Sequence, residues 1–285
     1  MGRRDRFVEV DGVELHYSEW GDADAPPLVC VHGLSRVGRD FDPLAERIAD
    51  DYRVICPDMP GRGLSEWADG DDQAEEWYTA EFMAGLITGF YDELGLESTR
   101  YAGISMGGML GVGLAAGPLA DRISHLLMVD VGPGPAEDES ADEGIQRIID
   151  YLTNPPRFDR LTDLETYFQD VYDTFSPMDD DEWRRLTLTS ARRGDEGHWL
   201  PNYDPRIVEP LLMADDGDAW DAWDALDCET FVVKGEHSDI LSDATFAEMV
   251  ERKPDTGTLE VEGCGHVPAL NVPEQVDPVR AFLEA

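Results

Sequence analysis

Lysine is almost absent from this sequence, and basic residues of either kind are scarce. The 285 residues include 62 Asp plus Glu against 22 Lys plus Arg, a net charge of −40, and the only lysines are Lys234 and Lys253. Nucleic acids and anionic lipid surfaces are bound through clustered cationic side chains. The composition therefore argues against nucleic-acid and membrane partners.

So large an excess of carboxylates is better explained by a high-salt environment than by an ordinary solvated acidic surface. At about 1 M salt the Debye length falls to roughly 3 Å, which largely screens the repulsion between surface carboxylates. A cytoplasm with molar salt, as in a halophilic organism, would therefore suit this chain. We expect a cytoplasmic protein whose stability depends on high salt.

Paired cysteines and long apolar runs are also missing. None of the four cysteines stands in a CxxC pair, which leaves zinc and thioredoxin-like sites without support. No stretch approaches the roughly 18 consecutive apolar residues of a membrane span. No apolar segment follows Arg3 and Arg4, so an export signal is not expected.

Short apolar runs alternate with amphipathic stretches along most of the chain. Such runs are typical of strands buried on both faces, and strand–helix alternation indicates a mainly parallel sheet covered by helices. The predicted strands are 13–20, 28–31, 53–56, 101–104, 125–129, 230–233 and 258–261. The predicted helices are 40–49, 78–94, 106–116, 244–251 and 273–283.

One long segment departs from this alternation. From about residue 134 to 227 the pattern indicates helices and no convincing strand. Apolar side chains recur there at helical spacing in two stripes: Ile145, Ile148, Ile149 and Leu152, then Leu164, Tyr167, Phe168, Val171, Tyr172 and Phe175. Each stripe predicts a helix face packed on a core, which could also form the underside of a lid above a substrate pocket.

The segment Gly103-Ile104-Ser105-Met106-Gly107 matches the pattern G-x-S-x-G between a predicted strand and a predicted helix. A nucleophile elbow requires this context, because a tight, strained turn presents the serine. The flanking glycines avoid clashes with the crowded backbone. The pattern therefore predicts Ser105 as a catalytic nucleophile.

A serine hydroxyl is a weak nucleophile and needs a general base. Of the six histidines, His266 lies in a glycine-flanked loop after the last predicted strand. The elbow order Ser…Asp…His draws its base from this position, so His266 is the predicted base. His16 and His125 lie in predicted strands and are interpreted as structural.

A carboxylate must hold the histidine in the right tautomer and stabilise it when protonated. Asp239 follows the strand that ends at Lys234, and its place between Ser105 and His266 fits the elbow order. Asp130, at the end of the preceding strand, and Glu236 are the alternatives. We prefer Asp239.

The reaction also builds negative charge on the carbonyl oxygen, which backbone N–H groups can stabilise. Met106, at the start of the helix after the serine, is predicted to supply one of these groups, and Leu34 the other. Arg36 could face the pocket and bind a substrate carboxylate bidentately, with His32 as a further substrate contact. The alternative for Arg36 is an ion pair with a nearby carboxylate.

Five motifs resemble those of α/β-hydrolase-fold proteins, in the same order and at similar spacing. They are Val31-His32-Gly33-Leu34, Pro57-Asp58-Met59-Pro60-Gly61-Arg62-Gly63-Leu64-Ser65, the Ser105 elbow, Ser238-Asp239-Ile240-Leu241 and Gly265-His266. The resemblance is greatest to the lidded branch with a serine nucleophile, which includes esterases, enol-lactonases and C–C hydrolases. Dehalogenases and epoxide hydrolases of this fold have an aspartate at the elbow, and Ser105 argues against both.

The resemblance implies an eight-stranded, mostly parallel sheet with helices on both faces and a helical cap inserted after the sixth strand. The implied domains are a core of residues 1–132 and 229–285 and a cap of residues 133–228. It also implies Asp239 as the triad acid, with no metal and no organic cofactor. The expected activity is hydrolysis of a small carboxylic ester, lactone or thioester through an acyl-serine intermediate.

Two kinds of alternative stay open. The same triad could catalyse C–C bond hydrolysis, acyl transfer or cofactor-free perhydrolysis. A protein of another class, a non-enzymatic ligand-binding receptor, could use the same scaffold. Such a receptor need not keep all three triad residues.

The charge balance predicts that thermal stability rises with salt. Since counterions screen the repulsion among carboxylates, the midpoint of thermal unfolding should increase as KCl is raised from about 0.1 M to about 3 M. Circular dichroism at fixed pH measures this midpoint. A melting temperature that stays constant or falls over that range would contradict the halophilic interpretation.

Overall fold

The computed structural model describes residues 2–134, 139–172, 176–209 and 219–285. An eight-stranded sheet forms its centre, in the order β1-β2-β4-β3-β5-β6-β9-β10. Strand β2 is antiparallel to β1 and β4, and the other neighbours are parallel. These strands are Arg4–Val10 (β1), Val13–Trp20 (β2), Pro27–Val31 (β3), Arg53–Pro57 (β4), Thr99–Ile104 (β5), Ile123–Val129 (β6), Glu229–Gly235 (β9) and Gly257–Val261 (β10). The predicted fold class is confirmed.

Helices pack on both faces of this sheet, and further helices lie in the segment between β6 and β9. They are Asp42–Ile48 (α1), Asp71–Trp77 (α2), Ala80–Glu93 (α3), Met106–Ala115 (α4), Glu139–Thr153 (α5), Leu161–Val171 (α6), Asp180–Ser190 (α7), Trp220–Asp224 (α8), Asp243–Arg252 (α9) and Pro273–Glu284 (α10). Short 3-10 helices span Gly38–Phe41 and Pro205–Val208. No helix in the described ranges combines the length and apolar character needed to cross a membrane.

The central strands are buried on both faces, as their continuous apolar runs predict. Successive side chains of a strand point to opposite faces, so each strand contributes to two cores. Along β3, Val29 and Val31 belong to a core with α3 and α4, whereas Leu28 and Cys30 belong to a second core with α1 and α10. This double coverage fixes the sheet and thereby its carboxyl-terminal edge.

Three strands were not expected from the sequence. Strand β1 is an edge strand with mostly exposed or half-buried charged residues, so it lacks an apolar signal. In the 134–227 segment, Ala191–Arg193 (β7) and Trp199–Pro201 (β8) pair as an antiparallel hairpin. The expectation that this segment has no strand is therefore wrong. Three residues per strand are too few to show a period in the sequence.

The segment between β6 and β9 contains α5 to α8 and the β7–β8 hairpin. Leu164, Phe168 and Tyr172 are buried in a small apolar cluster of this segment, which Trp183 and Trp199 also contact. Leu152 packs instead on the main core. The predicted stripes thus face packed interiors, except that Phe175 lies outside the described residues.

A buried histidine ties the amino-terminal strands to the loop after β4. His16 in β2 places Nδ1 2.7 Å from Asp58 Oδ2 and Nε2 3.0 Å from Asp5 Oδ1. Burial lowers the pKa of His16, but the hydrogen bonds and charges of Asp58 and Asp5 outweigh it, and the net pKa is raised. Only the imidazolium form can donate a hydrogen bond to both carboxylates at once.

This arrangement predicts a loss of stability as pH rises. A raised folded-state pKa contributes stability that is complete below the unfolded pKa of about 6.5 and disappears as pH passes through the folded value. Urea unfolding at fixed KCl between pH 6 and 9 should show this decline. In His16→Gln the corresponding component should be missing, and parallel pH profiles for the two proteins would refute the assignment.

Candidate active site

Ser105 lies at the junction of β5 and α4 in a strained conformation, with φ 50° and ψ −116°. The turn is crowded on both sides. A Cβ on Gly103 would lie 2.2 Å from the Gly107 carbonyl, and a Cβ on Gly107 would lie 2.0 Å from the Val31 oxygen. Both flanking positions therefore require glycine, as the elbow pattern predicts, and Ser105 is presented at the carboxyl edge of the sheet.

His266 reaches Ser105 from the loop after β10. Its Nε2 lies 3.2 Å from Ser105 Oγ, and its side chain is almost fully buried. The loop is held from β9, since the His237 N–H donates to the Cys264 carbonyl at 2.7 Å. The predicted pairing of Ser105 and His266 is thus present in the structure.

The carboxylate beside His266 belongs to Asp130. His266 Nδ1 lies 2.7 Å from Asp130 Oδ2, and Asp130 is completely buried. The Gly235 N–H donates to Oδ1 at 2.7 Å, and the Ser238 hydroxyl donates to Oδ2 at 2.6 Å. Held by these donors, the Asp130 carboxylate accepts a hydrogen bond from the imidazole at Nδ1 and orients its ring.

The expectation that Asp239 contacts His266 is wrong in this geometry. Asp239 Oδ2 accepts instead from Arg147 Nε at 3.1 Å and Nη2 at 2.7 Å, and the Asp239 side chain is one-third exposed. The turn after β9 directs Ser238 toward the triad and Asp239 away from it. Glu236, the other alternative, accepts a hydrogen bond from the Gly263 N–H.

His32 fixes the peptide that carries the Leu34 N–H. His32 Nε2 accepts from the Met59 N–H at 2.9 Å, so Nδ1 bears the proton and donates to the Gly33 carbonyl at 2.6 Å. Burial, the largest cause, lowers the pKa of His32 to about 4, which keeps the ring neutral at neutral pH. Because the Gly33 carbonyl is held in this way, the N–H on the other side of the same peptide is held too.

Two backbone N–H groups remain free beside Ser105. In the described part of the chain, no acceptor engages the N–H of Leu34 or of Met106. Met106 is the first residue of α4, where helix N–H groups lack partners and the helix dipole favours negative charge. The buried Arg62 donates from Nε to the Leu34 carbonyl at 2.8 Å and steadies the loop from below.

A small cleft opens at Ser105 and His266. Its other lining residues are Gly33, Leu34, Ser35, Arg36, Asp40, Ile104, Arg147, Ile148, Tyr151 and Val267. Arg36 pairs bidentately with Asp40, at 2.7 Å from Nε and from Nη2, so the ion-pair alternative describes its contacts in this structure. His32 is enclosed behind the cleft, and its prediction as a substrate contact is corrected to a supporting position.

Several side chains of the site were not found by reasoning from the sequence. Ser238 and Arg62 both lie within recognised motifs, but nothing in the residues around either one indicates its function in the site. Arg147 and Tyr151 lie on α5, one helical turn apart, and point at the cleft with Ile148. Their spacing marks a helix face, and only the tertiary structure shows that this face lies over Ser105.

A serine on a nucleophile elbow, with histidine and aspartate at the carboxyl edge of such a sheet, defines an α/β-hydrolase-type site. Residues 28–279 match the model of the alpha/beta hydrolase family. The chain belongs to this family and is a hydrolase.

Individual relatives agree with this assignment. A 3-hydroxybutyrate-oligomer hydrolase from Cupriavidus necator is 36% identical over 273 residues, covering 92% of this chain and 90% of that protein. An esterase from Mycobacterium tuberculosis is 26% identical over 270 residues, covering 93% of this chain and 82% of that protein. A solved alpha/beta hydrolase from Novosphingobium aromaticivorans superposes with a TM-score of 0.87 at 32% identity, covering 99% of this chain and 98% of that chain.

The geometry predicts different consequences for two aspartate substitutions. Asp130→Asn should lower the rate of Ser105 labelling by a fluorophosphonate, and any ester turnover, by about 10⁴-fold, because the wrong histidine tautomer is then stabilised. Asp239→Asn breaks only a partly exposed ion pair and serves as the matched control, with a rate close to that of the wild type. The reverse pattern, with Asp239→Asn inactive and Asp130→Asn active, would contradict the geometry.

Proposed function

We propose that this protein hydrolyses a small carboxylic ester, lactone or thioester through an acyl-Ser105 intermediate. The observation that carries the proposal is the continuous hydrogen-bonded chain from Ser105 Oγ through His266 to Asp130. This chain activates a hydroxyl that would otherwise be a poor nucleophile. In the proposed triad, Asp130 replaces Asp239 as the acid.

Acylation begins when His266 Nε2 takes the Ser105 proton and Oγ bonds to the carbonyl carbon. The carbonyl π electrons move to its oxygen, and Asp130 stabilises the imidazolium that forms. When the tetrahedral intermediate collapses, the bond to the leaving group breaks and His266 gives its proton to the departing oxygen or sulfur. His266 then takes a proton from a water molecule, whose oxygen bonds to the acyl carbon. The second tetrahedral intermediate collapses with cleavage of the bond between the acyl carbon and Oγ, and His266 returns the proton to Ser105 as the acid leaves.

The N–H groups of Leu34 and Met106 form the proposed oxyanion hole. Each donor of this kind is worth about 10² to 10³ in rate, because it is already oriented toward the position at which charge develops. His32 and Arg62 act as positioning residues, since they hold the two carbonyls that flank the Leu34 N–H.

Residues 133–228 are proposed to form a cap over a hydrolase core of residues 1–132 and 229–285. The support comes from α5, whose Arg147, Ile148 and Tyr151 roof the cleft at Ser105. An adjoining cleft shares Asp40, Ile104 and Val267 with the first. Apolar Met178 and Leu186 from the cap segment line it together with charged side chains, Arg39, Glu182 and Arg185. Together the two clefts suit a substrate with one apolar part and one polar part.

A short hydroxyalkanoate ester is the substrate class that fits these clefts and the relatives. The 36% identical relative is named for 3-hydroxybutyrate oligomers, which are linear esters, and a more distant relative is named an esterase. The proposal includes a high-salt cytoplasm as the working environment, for which the net charge of −40 is the support.

Ser105→Ala should abolish ester turnover. Removal of a triad nucleophile typically costs about 10⁶-fold in kcat, and only residual activity from the oxyanion hole and binding should remain. Release of p-nitrophenol from p-nitrophenyl butyrate in KCl measures the rate, and an unchanged melting temperature shows that the fold is intact. Turnover at the wild-type rate in this variant would rule out the proposed mechanism.

A further inference from the structure

The cleft at Ser105 brings two arginines together in a protein that has few basic residues. Apart from His266, the charged side chains among its described lining residues are Arg36, Asp40 and Arg147, two positive and one negative. Across the whole chain, acidic residues outnumber basic ones by 62 to 22. Two arginines therefore concentrate guanidinium donors at one small cleft, where each is paired with one carboxylate, Asp40 or Asp239.

Arg36 is a rigid member of this pair. Asp40 engages Nε and Nη2, and the Tyr172 ring lies 4.8 Å from the guanidinium carbon. Nη1 is buried and has no acceptor at strict hydrogen-bonding geometry among the described residues, and the Tyr172 side chain is the nearby polar group that interacts with this guanidinium. Buried guanidinium donors without an acceptor are unfavourable, so an acceptor from a ligand would complete this site.

Arg147 is the accessible member of the pair. Its Nε and Nη2 both point at one oxygen of Asp239, and its side chain is one-third exposed. The other oxygen of Asp239 is buried and has no partner within the described ranges, so this ion pair is not the two-point pairing that a guanidinium and a carboxylate can form. The pair is therefore a weak competitor for a ligand that offers both oxygens.

The position of Arg147 suits a group on the substrate rather than the reacting carbonyl. It lies on α5 beside Ile148 and Tyr151, opposite the elbow, whereas Leu34 and Met106 supply the donors next to Ser105 Oγ. A carboxylate a few atoms from the scissile bond would reach it within the same cleft. Guanidinium groups recognise the planar carboxylate through two parallel hydrogen bonds.

We propose that the substrate is an anionic ester with a free carboxylate, and that Arg147 binds this carboxylate. Arg36 supplies a second, rigidly held cationic group in the same cleft. The inference rests on the proposed ester hydrolysis and specifies its substrate class. Arg147 is then a specificity-determining residue that contacts the substrate. Asp239 is its resting partner, displaced when the substrate binds.

The test compares two substrates that share one ester bond and differ in charge. 3-Butanoyloxybutanoate carries the carboxylate, and 3-butanoyloxybutanamide replaces it with a neutral group of the same shape. Butanoate release is followed by chromatography at one fixed KCl concentration, and kcat/KM is determined for each. The wild type should prefer the acid by about tenfold or more, as expected for one charge-assisted, two-point contact.

Arg147→Gln and Asp239→Asn each remove one partner of the Arg147–Asp239 ion pair. Comparing them separates substrate recognition by Arg147 from a purely structural role of the pair. Arg147→Gln should reduce the acid-to-amide ratio of kcat/KM to near one, and Arg147→Lys should restore part of it. Asp239→Asn should keep the ratio or raise it, since Arg147 is released from a competitor. If the ion pair were only structural, Arg147→Gln and Asp239→Asn would change the two substrates equally, which would overturn the inference.

Calorimetry on Ser105→Ala distinguishes this inference from the proposed function. Tighter binding of the acid than of the amide, lost in Ser105→Ala/Arg147→Gln, supports the carboxylate site even if the wild type hydrolyses neither compound. In that case the proposed ester hydrolysis would be wrong, and the carboxylate site would stand. Equal hydrolysis of acid and amide by the wild type, together with equal binding, would overturn the carboxylate site and leave the hydrolase function standing.

Discussion

The buried carboxylate of Asp130 is the constraint on which the rest of the site depends. An ionised carboxylate out of contact with water is tolerated only when donors surround it. Here the donors come from the end of β9, from Ser238 in the loop after it, and from His266 in the loop after β10. Because β6 and β9 are neighbouring parallel strands, one side chain at the end of β6 can hold all three. The position of His266, and through it the activation of Ser105, follows from satisfying that charge.

The sheet also sustains the backbone strain that this site requires. Ser105 and Asp130 both have positive φ, 50° and 56°, and residues other than glycine typically incur about 1 to 3 kcal/mol in such conformations. Both nevertheless keep their places in the parallel ladder. The Ser105 N–H donates to the Val129 carbonyl at 2.9 Å, and the Asp130 N–H donates to the Val233 carbonyl at 2.8 Å. The neighbouring strand thus holds the backbone of Ser105 and of Asp130 in place, while their side chains extend beyond the sheet edge into the site.

The parts of the fold and the site that could be predicted are those with a dense local signal. The elbow is predictable because crowding at Gly103 and Gly107 leaves few other residues possible, and the buried strands have continuous apolar runs. The triad acid is different. Asp130 and Asp239 both follow strands that end at the same edge, and both lie between Ser105 and His266 in order. Only the path of the turn after β9, which points Ser238 inward, decides between them.

Strand β1 and the β7–β8 hairpin were missed for another reason. Their residues are charged or very few, so their pairing is determined by neighbouring strands and not by their own pattern. Arg36 shows the same limit in the site. The sequence admits both a substrate contact and an ion pair, and the structure shows the ion pair with Asp40.

The extreme charge of the surface and the arginines of the cleft have a common physical consequence. At about 0.01 M salt, where the Debye length is roughly 30 Å, an anion near this protein would be repelled by the field of the entire acidic surface. At molar salt it would interact only with charges a few ångströms away. The charged groups within that range in the cleft are the ion pairs Arg36–Asp40 and Arg147–Asp239, in which neither carboxylate engages all the donors of its guanidinium. In the proposed high-salt setting, screening would therefore let the two arginines act on an anionic substrate that the net charge of −40 would otherwise repel.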